Sequence, residues 1–147
     1  MISLALNGVD SLYDKSKPGK NICIMWEGTN DLFLNLATET QAYNRIKEYC
    51  SARKAIGWKV IVATILPRTS QGANQETQRL NINSWIRTAK TNNETWLDAV
   101  ADVGGDALIG NIATNANVIY YYDEVHLSNL AHDYIRHYFT TAITSLL

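Results

Sequence analysis

Near its carboxyl end the chain reads Asp123, Glu124, Val125, His126, Leu127, Ser128, which places a carboxylate three residues before an imidazole. In a turn, that spacing lets the carboxylate hold the ring and fix its tautomer, the supporting half of a catalytic triad. The pair also has an ordinary reading, because an Asp near a helix start often serves as a cap or a first-turn charge. A second polar group, Gly28, Thr29, Asn30 and Asp31, follows an apolar run at 22–26. Here the Asn30 amide can donate to a developing oxyanion. An Asn/Asp turn with Asp31 capping the next helix would use the same residues.

Both groups depend on the elements that carry them. Residues 3–14 space Leu4, Leu6, Val9, Leu12 and Tyr13 by threes and fours, which predicts an amphipathic helix ended by Pro18 and Gly19. The run at 22–26 is too short for a helix and reads as a buried strand, as does 60–65, which ends before Pro67. Residues 36–56, stopped by Gly57, and 75–91 carry helical spacing. A weaker strand is expected at 96–100, a further apolar run at 118–122, and a last helix from about 129 to 147. Strands alternating with helices imply an α/β fold in three layers, a parallel sheet flanked by helices. In such sheets ligands gather at the carboxyl ends of the strands, which is where both polar groups fall.

Composition narrows the function classes. With 147 residues, 46% hydrophobic and only two Pro, the chain is expected to form a single domain over 1–147 with its own core. Thirteen Lys and Arg against fourteen Asp and Glu leave a charge of -1, so no nucleic-acid footprint is visible. No apolar run reaches the roughly 20 residues of a membrane span, and residues 1–7 do not read as a secretion signal. Cys23 and Cys50 form no CxxC pair and are expected to be buried free thiols. His126, His132 and His137 are spaced by six and five, which does not align them on one helix face for a metal. Surface or packing roles account for them. Trp58, Trp85 and Trp96 fall in apolar patterns and read as core, while one of Tyr120, Tyr121 and Tyr122 is placed to line a pocket by strand alternation.

In combination these features resemble the SGNH hydrolases, the GDSL-type esterases and lipases. A buried strand ending in Gly28-Thr29-Asn30-Asp31 resembles the family's third block. Asp123-Glu124-Val125-His126 before a terminal helix resembles its fifth. The resemblance implies Asn30, with Gly28 of the same block, in the oxyanion hole, His126 as general base and Asp123 as its orienting partner. It implies a flavodoxin-like fold with strand order 2-1-3-4-5, no cofactor, and serine hydrolysis of short acyl esters, including acetyl esters on carbohydrate.

The family's first block, with its nucleophilic Ser, and its second block have no counterpart in the sequence. Gly8-Val9-Asp10-Ser11 imitates the first block with an inserted Val. It is rejected because the surrounding spacing is helical and Ser11 lies too close to Asn30 for an intervening strand. The fold is therefore expected to lack its first one or two strands, and the Ser to come from outside these residues. That would bare the strand edge from Asn21 to Trp26 and leave it for a second copy or a partner chain to cover. Ala131 stands in a region where the family often has Gly. A non-catalytic relative that binds a ligand or another chain is the alternative, since a triad enzyme without its nucleophile is nearly inert.

Overall fold

The computed structural model describes residues 8–70 and 72–147. Three parallel strands, β1 (Ile22–Met25), β2 (Lys59–Ala63) and β3 (Ala99–Ala101), form one sheet in the order β1-β2-β3. Cys23 stands opposite Val60, and Val62 opposite Val100. Four α-helices accompany them: α1 (Thr29–Phe33), α2 (Glu39–Ile56), α3 (Ala73–Thr91) and α4 (Asn129–Thr144).

Strand alternation divides the core in two. Cys23, Met25, Val60 and Val62 pack with Ile46 and Cys50 of α2 and with Ile82 and Ile86 of α3. Ile61, Ala63, Ala99 and Ala101 pack with Ala131, Ile135 and Ala142 of α4. A three-layer α/β arrangement follows, with β2 buried on both faces, as its uninterrupted apolar run requires. Cys23 and Cys50 are buried and unpaired with each other by any disulfide. Trp58 and Trp96 are buried, and Trp85 is half-buried against the same core.

Local signals set the helix ends. Thr38 Oγ1 accepts from Gln41 N at 3.2 Å while the Gln41 side chain accepts from Thr38 N at 2.9 Å, a reciprocal cap for α2. Gly57 ends α2 in a left-handed conformation (φ 115°), and a Cβ there would run into the Tyr13 hydroxyl. Ser128 Oγ accepts from Ala131 N at 3.2 Å and starts α4.

Three expectations need correction. Of the helix expected over 3–14, residues 3–7 lie outside the described residues; from 8 to 14 the chain forms only a 3-10 turn, Val9–Leu12. Asp10 turns inward to pair with the buried Arg53 at 2.7 Å, and Tyr13 packs edge-on against Trp58. The third strand begins at Ala99 rather than at residue 96. Trp96 and Leu97 are core residues of the approach to the strand, and the Asp98 carboxylate accepts from Val60 N at 2.7 Å. Finally, 118–122 is not a strand: Asn117 O accepts from Tyr120 N and Tyr121 N in a tight turn, and Val118 is 80% exposed. No described helix is long and apolar enough to cross a membrane.

Candidate active site

At the carboxyl end of β1 the chain must turn within two residues. Gly28 makes that turn at φ 121°, buried, where a Cβ would sit 2.6 Å from Ile65 Cδ1 and 3.3 Å from Ile46 Cδ1. Only glycine combines that backbone with that space. Gly28 thus shapes the turn and lies beneath the residues that face solvent. Thr29 and Asn30 open α1, and the exposed Asn30 amide enters no hydrogen bond with a described residue. Asp31 does not cap the following helix; it is buried within α1 and accepts from Arg45 Nη1 at 2.7 Å. It holds α1 against α2, while the cap belongs to Thr38.

The second loop is built around one carboxylate. Asp123 Oδ1 accepts from Val125 N at 3.2 Å and from His126 N at 2.8 Å. The His126 ring brings Nδ1 to 2.9 Å from Oδ1 and 2.7 Å from Oδ2. With Nδ1–H donating to Asp123, the neutral ring keeps its lone pair on Nε2. The His126 backbone N–H, then its ring, hold the Asp123 carboxyl below the usual carboxylate range. Glu124 adopts a left-handed φ of 62° to close this turn.

The loop is anchored from below. Tyr122 N donates to His126 O at 2.7 Å, Ser128 N to Tyr120 O at 2.8 Å, and Ser128 Oγ to Ile119 O at 2.6 Å. Tyr121, buried beneath the loop, donates its hydroxyl to Ile109 O at 2.6 Å, and burial pushes that phenol up to about 12. Of the three tyrosines it is the anchor, and none of them lines the cleft described next.

Both loops face one cleft of 680 Å³. Asn30, Asp123 and His126 line it together with Thr29, Glu27, Arg68 and His132, over an apolar floor of Trp26, Leu34, Leu66, Val125 and Leu127. The dyad is open to solvent, with the His126 side chain 76% and the Asp123 side chain 48% exposed. His132 lines the cleft rather than packing elsewhere, whereas His137 stacks on Tyr138 at 4.1 Å. No group of three metal-ligating side chains occurs among the described residues. Ser11 belongs to the 3-10 turn tied to Arg53 and donates to Gly8 O at 2.6 Å. That turn packs near the entry to β2, whereas the cleft lies at the opposite ends of the strands. Among the described residues no Ser or Cys lines the cleft, and Thr29 is its one hydroxyl.

The loop after β2 contributes Leu66 and Arg68 to the cleft, and neither belongs to a motif in the sequence. Buried polar side chains hold it. Asn83 of α3 accepts from Ile65 N and donates to Ile65 O, each at 2.8 Å, and Arg79 Nη1 donates to the same carbonyl at 2.8 Å. Asn115 accepts from Thr69 N at 2.5 Å and donates to Pro67 O at 3.2 Å. The legible signal was a pair of polar residues, Arg79 and Asn83, on the apolar face of α3 that holds Ile82 and Ile86. No family profile, curated protein or solved structure matches the chain.

Proposed function

We propose that the chain carries the base and the oxyanion donor of an SGNH-type serine ester hydrolase acting on short acyl or acetyl esters, including those on carbohydrate. The observation that supports this most is that Asn30, Asp123 and His126, from opposite ends of the sequence, line one cleft with Nδ1 held by the carboxylate and Nε2 left to work. A Ser from outside these residues attacks the ester carbonyl carbon while Nε2 takes its proton. The Asn30 amide donates to the oxyanion that forms, and Asp123 stabilises the imidazolium. The carbon–oxygen bond to the alcohol then breaks as Nε2 returns the proton, and water removes the acyl group by the same route. Gly28 serves by aiming Asn30. In the working assembly the free edge of β1 is covered, by a second copy or by a separate polypeptide that brings further strands and the Ser.

The test is hydrolysis of p-nitrophenyl acetate by the purified chain and by His126→Ala. Without the Ser, Nε2 can still take a proton from a water that attacks this activated ester, a general-base contribution of about 10²–10⁴-fold, and His126→Ala should remove it. Equal rates for the two proteins would overturn the reading. The absence of Ser and Cys from the described cleft lining favours a second reading, in which the cleft binds a ligand without turnover.

A further inference from the structure

The chain has six arginines, and four of them pair with carboxylates: Arg45 with Asp31, Arg53 with Asp10, Arg79 with Glu76 and Arg87 with Asp102. Arg68 lines the cleft and meets no carboxylate among the described residues. Its guanidinium carbon lies 5.4 Å from the Phe33 ring centre, and Nε donates to Ser70 Oγ at 2.9 Å. The aromatic face and the hydroxyl hold the plane, and neither terminal nitrogen donates to a described residue. A held, planar fork with free donors matches the two oxygens of a carboxylate.

We propose that Arg68 is a specificity-determining residue that binds a carboxylate carried by the ester substrate, so that the cleft takes anionic esters in preference to neutral ones. The proposal rests on the ester-hydrolase reading of the same cleft and adds the substrate's charge to it. Glu27 and Asp123 also face this space. An anion there is repelled unless the fork holds it directly, so recognition has to be a close pair and not a general attraction. The buried clamps on Ile65, Pro67 and Thr69 fix the backbone on both sides of Arg68, so the fork is placed before any ligand arrives.

Two esters that differ in one charge provide the test: monomethyl succinate, with a free carboxylate, and dimethyl succinate, without one. Binding to the full chain is followed by the NMR signals of the Arg68 Nε–H and the Trp26 indole. Monomethyl succinate should shift both signals saturably and bind at least about tenfold tighter than dimethyl succinate, as expected for hydrogen bonds to a charged group. Arg68→Gln should erase the preference and Arg68→Lys should keep only part of it, with the remaining amide spectrum unchanged as evidence of folding. Equal binding of the two esters, binding of neither, or a preference that survives in Arg68→Gln would each overturn the proposal. The readout separates it from the reading beneath it. Arg68-dependent binding without His126-dependent hydrolysis keeps the anion subsite and removes the esterase, whereas His126-dependent hydrolysis of both esters alike does the reverse.

Discussion

Gly28 shows how much one residue can decide. Its left-handed backbone and the 2.6 Å approach of Ile65 Cδ1 leave no room for a methyl group. Gly28→Ala should cost about 1–3 kcal/mol in backbone strain alone, read as a lowered urea midpoint, and should displace Asn30 from the cleft. Asp123 makes a different prediction. Its folded pKa lies below the ordinary 3.8 because the His126 backbone and ring favour the charged form. The contribution of this carboxylate is therefore fully present above the ordinary value and is lost as pH falls through the lower folded one. The Asp123 carboxyl carbon signal should show its protonation step only in strong acid; a protonation step centred above 3.8 would contradict this. Cys50 gives a third test, since burial pushes its thiol up to about 12. A thiol reagent at neutral pH should leave both buried cysteines unmodified until denaturant is added.

At the scale of elements, the buried braces are the part of the site that pattern reading passes over. Asn83→Ala would leave the Ile65 N–H without its partner in a buried setting and remove one of two donors to the Ile65 carbonyl. An unsatisfied buried group costs about 1–3 kcal/mol, so a drop of that size in unfolding free energy is expected, with faster amide exchange across 65–70. The elements that carry the two cleft loops are legible because their signals are local. β2 is a bare apolar run, Gly57 is a stop, and Ser128 is a cap. The run at 118–122 misled because aromatic and β-branched residues suit a pleated strand and an anchored turn alike, and only Tyr121 is buried. The part of the expected 3–14 helix from residue 8 onward misleads because spacing does not register a long-range ion pair such as Asp10 with Arg53. Asn30, Asp123 and His126 are legible in short motifs, and Glu27 belongs to the same loop as Asn30, whereas Arg68 and His132 reach the cleft through tertiary packing that no spacing encodes.

Across the whole molecule, β1 is an edge strand whose free side meets no other described strand. Ile24 points to the α4 face and is 42% exposed, so an apolar side chain and an unpaired backbone lie together. Light scattering at micromolar concentration should therefore report a species larger than the monomer, with slow amide exchange along Ile22–Met25. A clean monomer with rapid exchange there would contradict a covered edge. The two halves of the cleft also differ in what else they do. The Asp123 carboxylate holds the backbone of its own turn as well as the imidazole, so removing it takes a partner from the Val125 and His126 amides whether or not any reaction takes place. The Asn30 amide holds nothing within the described fold. In a lineage that gave up chemistry, folding alone would go on protecting Asp123 while Asn30 drifted. The first mark of a lost activity would be inherited at residue 30, with the Asp123 carboxylate still in place.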